Sequence, residues 1–474
     1  MNNRGRTFPD PPYAAIVAAE SKGACMRLDT PRAPERLRTH PGDLAAVGIA
    51  AVVVAAAVAV GAYLNRPGSG VNLLAPAAPL FGHWLPHVGP GTPAAVVIAI
   101  AVVTTGPRLA ATLPWRRLLG LGYLTAVAWT FALALVDGWR RGLADRLANP
   151  NEYLREAPGI TDIPAMVREF SSRILDFQPD SWTTHVSGHP PAATLVFVWL
   201  DRIGLSGGGW AAVVCVLAGC LVAVAVPGAL AALDRPDAAR ATVPFAVLFP
   251  GAVWVGASAD GLFAGVTAVG IAALAHATRG GRLAVPCALV GGALLGFGIF
   301  LSYGLVLLGV VALAVVVAGR GLARVLPFAV LGALVPVLAF VIGGFWWLDG
   351  YHLVVERYYQ GIATERPYAY WVWANLACLA LSAGPAVIAG VRRVAAGVTR
   401  IHREPVLLLV AAAALAVLAA DLSGLSKAET ERIWLPFTVW LLPAVSLLPD
   451  GRRGWLAGQA VLALAVNHFV LTYW

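Results

Sequence analysis

Thirteen apolar stretches, mostly near 20 residues long and parted by short turns, constrain this chain of 474 residues more than any other feature. A helix rising 1.5 Å per residue needs about 20 apolar residues to cross a hydrocarbon core of roughly 30 Å. The stretches run approximately over 43–64, 93–107, 118–138, 210–232, 240–256, 259–277, 283–301, 303–319, 325–347, 370–391, 405–421, 434–448 and 455–472. Composition agrees: 59% of the residues are hydrophobic and only 12% charged, against about 25% charged in soluble domains. The expected fold class is therefore all-α, a polytopic membrane helical bundle of about 13 spanning helices, with 43–474 forming a single domain.

Residues 1–42 are polar and rich in Arg and Pro. They lack the short apolar core and small-residue cleavage site of a signal peptide, and read as a disordered cytoplasmic leader. Of the five cysteines, Cys215, Cys220, Cys287 and Cys378 fall in apolar stretches and Cys25 in the leader. No CxxC or Cys/His pair has metal spacing, which excludes a zinc site and a disulfide framework from the expectations.

The net charge of +9 is mostly a topology signal. With the N-terminus inside, the inner segments hold 22 of the 34 Lys and Arg residues, among them Arg116/Arg117, Arg392/Arg393 and Arg452/Arg453. The other 12 lie outside, seven of them in the long segment 139–209. The positive-inside rule then gives N-in and C-out. Counting 190–205 as a span would invert every later loop, so it reads as a juxtamembrane helix along the outer interface. In 163–177, Ile163, Met166, Val167, Phe170, Ile174 and Leu175 recur at helical spacing with charges on the other faces. Residues 139–209 thus read as an extracytoplasmic shelf of juxtamembrane helices.

Polar groups gather at four places on that outer face. Asp137 ends the third stretch in Val-Asp137-Gly-Trp-Arg140-Arg141. The shelf closes with Asp180-Ser-Trp-Thr-Thr-His185-Val-Ser-Gly-His189-Pro190-Pro191. Asp260 sits in a tight Ser-Ala-Asp260-Gly turn. Glu356-Arg357 stands in one loop, and Lys427, Glu429, Glu431 and Arg432 in another. Ionisable residues at membrane depth are costly and mark functional sites. Each group also has a plainer reading. Asp137 reads as well as a boundary residue paired with Arg140 or Arg141, and Asp260 as a turn former before Gly261. The two histidines read as loop residues, because the following Pro-Pro breaks the helical face that an HxxxH zinc pair needs. Glu356/Arg357 and Glu431/Arg432 read as interfacial charges. There is no P-loop and no Rossmann fingerprint.

In their order these elements resemble the GT-C superfamily of integral-membrane glycosyltransferases, in particular its aminoarabinose-transferase and protein O-mannosyltransferase branch. Asp137 stands where that branch ends a span in an acidic pair, although Gly138 replaces the second acid. His189-Pro190-Pro191-Ala192 stands for a Lys-Pro-Pro-Leu element. Ser258-Ala259-Asp260-Gly261 is similar to a Pro-Asp turn, and Gly296 to Gly304 to a span junction with Tyr303 in place of Lys. Lys427 to Pro436 is similar to a late basic loop.

The resemblance, which covers roughly 118–448, implies transfer of a sugar from a polyprenyl-phosphate donor to a cell-envelope glycan, lipid or protein acceptor, with inversion. The transfer occurs outside a bacterial inner membrane, and no nucleic acid takes part. It implies Asp137 as catalytic base and Arg432, Lys427, Arg357 and His189 on the donor phosphate. Asp260, Glu356, His185 and Asp180 are implied as acceptor-binding or supporting residues. No cofactor is required by this branch; a divalent cation held by a carboxylate pair, as in oligosaccharyltransferases, stays open. The alternative is a transporter or flippase for a lipid-linked or small solute, which predicts internal repeats and broken helices at the midplane. An O-antigen polymerase or ligase is a second alternative, set apart by a large loop late in the chain.

Overall fold

A computed structural model describes residues 40–256, 258–449 and 452–473; the leader expected at 1–42 lies almost wholly outside them. The described chain is all-α apart from two three-residue strands, Gly82–Trp84 and Val470–Thr472, which pair antiparallel with Gly82 opposite Thr472.

Among the described residues, eight helices are long and apolar enough to cross a membrane: Pro41–Leu64, Thr92–Thr112, Trp115–Asp137, Gly208–Ala232, Ala259–Thr278, Ala284–Leu301, Leu322–Ile342 and Pro405–Leu422. A ninth is a broken pair, Tyr368–Ala383 and Pro385–Ala396, bent by 112°. The thirteen expected stretches therefore do not all form straight full-length helices. The stretch 240–256 divides into Pro236–Val247 and Ala252–Val255, parted by Pro250-Gly251. The stretch 370–391 turns at Gly384, whose φ of 87° suits glycine, before Pro385. The stretch 434–448 becomes Leu435–Thr438 followed by 3-10 turns over Val439–Leu447, with Pro436 and Pro443 inside it. The last stretch leaves the helix at Phe469 to make its strand.

One physical reason covers these differences. A helix facing lipid must satisfy its own backbone, whereas one enclosed by protein can break and find partners next to it. Pro41–Leu64 and Leu322–Ile342 are mostly uncovered by protein and stay continuous. Leu435–Leu447 is buried almost throughout, and it breaks. Apolarity alone does not distinguish burial in protein from burial in lipid.

Small residues let the spans approach closely. A Cβ on Gly292 would lie 1.9 Å from the Ala329 carbonyl, and one on Gly332 would lie 2.1 Å from that of Leu289, so Ala284–Leu301 and Leu322–Ile342 meet backbone to backbone. Gly265 meets the Ala218 carbonyl in the same way.

The ion pairs sort the loops into two faces. At one end Arg393 holds the buried Asp43 at 2.6 Å, Arg235 holds Glu404 at 3.3 Å and Arg279 holds Asp234 at 3.6 Å. The other end carries the contacts of 65–91, 137–209, Asp260, 357–366 and 427–432. Among the described residues, each ion pair between separate elements joins segments that the arginine distribution assigns to one face.

Segment 139–209 is a series of short pieces: Arg140–Ala144, Tyr153–Arg155, Ala157–Gly159, Ile163–Glu169, Ser171–Arg173, Thr184–Gly188 and Pro191–Arg202. The longest of them has 12 residues, so it reaches about 18 Å, short of the roughly 30 Å of a bilayer core. Pro191 begins that helix, where its missing N–H costs nothing. Met166, Val167, Phe170 and Ile174 point inward and are buried.

Candidate functional site

The most densely charged buried place in the described chain centres on Arg432. Its guanidinium lies 2.5 Å from Asp260, 2.7 Å from Glu429 and 3.2 Å from Nε2 of His185. These partners come from far apart in the chain. Asp260 is in the first turn of Ala259–Thr278, where the helix dipole favours an acid. His185 is in Thr184–Gly188. Arg432 is in Thr430–Ile433, a single turn that follows two left-handed residues, Ala428 (φ 70°) and Glu429 (φ 64°). Consecutive non-glycine residues in that region are strained, and such strain collects at functional sites. Here it aims the Glu429 carboxylate at two arginines.

Behind Arg432 further polar groups close around Glu429. Arg366 reaches Glu429 at 3.1 Å and also donates to the carbonyl oxygens of Lys427 (2.8 Å), Leu73 (3.3 Å) and Leu74 (3.4 Å). Lys427 is buried. Its Nζ donates to the Ala363 carbonyl at 2.9 Å and lies 5.1 Å from the Tyr359 ring centre, and among the described residues no carboxylate pairs with it. Glu431 accepts from the Phe81 backbone N–H at 2.9 Å.

On the shelf side Nδ1 of His185 faces Glu152 at 3.1 Å and the Asn151 carbonyl at 3.1 Å. Nδ1 of His189 lies 3.0 Å from the Tyr153 hydroxyl.

Burial and charge set the protonation of these groups. Burial alone would raise the Glu429 pKa, but Arg432 and Arg366 outweigh it and hold the carboxyl below its ordinary value. Burial alone would lower that of Arg432, yet Asp260, Glu429 and Glu152 push it up. Burial, with Arg432 adding, depresses His185 to about 3, and burial also lowers His189. Both rings are thus neutral at physiological pH. Burial raises Glu152 to about 8 and Glu431 to about 7. Lys427 is lowered by burial and by Arg366.

A second group surrounds Asp137, which ends the 3-10 turn Leu135–Asp137 before Gly138 (φ 78°) redirects the chain. His87 lies 3.0 Å from its carboxylate, Arg141 3.0 Å and Arg146 3.6 Å. Arg146 also donates to the Thr472 carbonyl. Thr472 pairs with Gly82, next to Phe81 and so to Glu431. The strand pair therefore links the Asp137 group to the Arg432 group.

Of the sequence-chosen residues, the structure brings together Arg432, Asp260 and His185, with His189 and Lys427 at the edge. Asp137 stands in its own group. Arg357 pairs with Asp176 at 2.6 Å, Asp180 sits near Arg173, and Glu356 is exposed on Trp347–Gln360. Sequence reasoning missed Glu152, Tyr153, Arg366, His87 and Arg146. The only signals were the Asn149-Pro150-Asn151 turn before Glu152 and the Pro367 after Arg366. No group of three or more His, Cys, Asp or Glu among the described residues has metal-holding geometry. Asp260 and Glu429 face a guanidinium.

No family model and no curated protein sequence matches the chain. Two solved structures are similar, both of ArnT from Cupriavidus metallidurans, one in the apo state and one bound to undecaprenyl phosphate. They are 18% and 17% identical, each with a TM-score of 0.44 over 72% of this chain and 62% of theirs. The chain thus spans less than two thirds of the length of the solved proteins it matches.

Proposed function

We propose that this chain is a glycosyltransferase of GT-C type, moving a sugar from a polyprenyl-phosphate donor to an envelope acceptor at the outer face of a bacterial inner membrane. The observation that carries the reading is the buried cluster on Arg432, built at one end of the bundle from the shelf, the start of Ala259–Thr278 and the late basic loop. The positive-inside rule makes that end extracytoplasmic. The order of motifs in the sequence supports the same reading.

Lys427 is the cation best placed for the donor phosphate, since two of its three N–H groups have no protein acceptor among the described residues. Arg432 is a second cation of the same loop, although Asp260 and Glu429 already share its donors. Arg357 and His189 are secondary candidates. The acceptor hydroxyl attacks the anomeric carbon from the face opposite the phosphate; the new C–O bond forms as the bond to the phosphate oxygen breaks. Asp137 takes the hydroxyl proton, and the lipid leaves as its phosphate. His87, Arg141 and Arg146 hold the Asp137 carboxylate, so the approaching acceptor displaces one of these contacts.

The test is a transfer assay on purified protein with a panel of polyprenyl-phosphate sugars. The expected result is consumption of one donor with inverted stereochemistry. The break between Tyr368–Ala383 and Pro385–Ala396 favours a second reading, because transporters use discontinuous helices. That reading wins if no donor is consumed while a labelled lipid crosses proteoliposomes containing the protein.

A further inference from the structure

Three carboxylates crowd Arg432, and they are not alike. Asp260 and Glu429 contact the guanidinium directly. Glu152 reaches it only through His185. The tautomer of that ring follows from its partner: a guanidinium can only donate, so Nε2 of His185 accepts from Arg432 and the ring proton sits on Nδ1. That proton faces Oε1 of Glu152 and the Asn151 carbonyl. Oε2 of Glu152 has no hydrogen-bond partner among the described residues, and the residue is 2% exposed. A bare charged oxygen in that position costs far more than a protonated one.

We infer that Glu152 enters the site as a neutral acid, and that the proton it carries makes the cluster electrostatically able to accept a phosphate anion. The inference rests on the donor chemistry proposed above. Asp260 and Glu429 face Arg432, and Arg366 also holds Glu429. Each further ionised carboxylate beside Arg432, Glu152 or Glu431, lowers the positive charge that an incoming anion meets.

Every group facing Glu152 bears on its proton. Tyr153 beside it is held neutral by burial, and His185 and His189 are neutral. Cys215 faces it from Gly208–Ala232. Burial raises Glu152 to about 8; Asp260 and Glu429 push the same way, and only Arg432 and the Tyr153 N–H oppose them. The sign follows. Below about pH 8 the proton is present and Glu152 does not weaken anion affinity. Above it affinity falls, by up to about tenfold per pH unit. By reciprocity a bound phosphate raises the pKa of Glu152, so binding at alkaline pH takes up a proton.

The experiment measures binding of a polyprenyl phosphate to the full chain in lipid nanodiscs between about pH 6 and about pH 10. Wild type is expected to lose affinity above about pH 8. Glu152→Gln, a permanently neutral isostere, is expected to match wild type at neutral pH and to lose most of the alkaline decline. Glu431→Gln removes a different buried acid that burial also raises and is expected to keep that decline. The inference is overturned if wild type binds with no pH dependence, or if Glu152→Gln declines as wild type does. If wild type binds no polyprenyl phosphate at any pH, the functional reading fails and takes this inference with it. Should Glu152→Gln not fold, the infrared carbonyl band of a buried acid in wild type carries the test: its failure to titrate near pH 8 overturns the assignment.

Discussion

Replacing Arg432 by Gln removes the cation on which the buried Asp260 and the half-buried Glu429 depend. Asp260 is 4% exposed and loses its one ion-pair partner among the described residues, and Glu429 is left with Arg366. Removing one member of a buried pair costs about 3–5 kcal/mol, because the stranded charge cannot reach water. The destabilisation expected for Arg432→Gln lies in that range. Asp260→Asn is milder, about 1.5–3 kcal/mol, the value of a hydrogen bond to a charged group, because Arg432 keeps Glu429. The double variant strands no aspartate, so its cost falls below the sum of the two, with a coupling of about 1–3 kcal/mol. The assay is chemical denaturation of the purified proteins in mixed micelles, followed by tryptophan emission; Trp254 and Trp434 are buried near the cluster. A cost for Arg432→Gln within about 0.5 kcal/mol of zero, the range of an ordinary surface substitution, would refute the reasoning. The cluster would then be hydrated.

Lys427→Ala should weaken polyprenyl-phosphate binding by about 10- to 150-fold, the worth of one charge-assisted hydrogen bond, as read by titration into nanodiscs. Asp137→Asn should keep fold and donor binding but lose about 10²–10⁴ in transfer rate; transfer at the wild-type rate rejects it as base. Gly292→Val should cost about 1–3 kcal/mol through the clash with the Ala329 carbonyl, whereas Gly48→Ala on a lipid-facing helix, where a Cβ meets nothing within 4 Å, should leave the unfolding midpoint unmoved. Cysteines introduced at Asp180 and Arg400 should be labelled from opposite sides of intact cells, Asp180 from outside; labelling from the same side sinks the two-face topology.

The class of fold was legible because lipid as a solvent leaves a blunt signal. Long apolar runs and the asymmetry of Arg and Lys give the helices and the sorting of loops, and the ion pairs of Asp43 with Arg393 and of Arg235 with Glu404 join loops accordingly. The broken segments were not legible. Pro250, Gly384 and Pro436 sit in stretches as apolar as any other, and only their enclosure by protein lets the backbone break there.

The candidate site divides along the same line. Arg432 and Asp260 stood out because a charge between apolar stretches is conspicuous. Glu152 did not, being one acid in a loop of about 70 residues that also holds several others. What distinguishes it is burial against His185, which arises only when the shelf packs on the start of Ala259–Thr278 and on Thr430–Ile433. The same packing turns Asp260 from a turn former into the anchor of a guanidinium. A charged residue announces its cost in the sequence. Whether that cost is met by water, by an opposite charge or by a proton is settled by residues far off in the chain, 247 positions for His185 and Arg432.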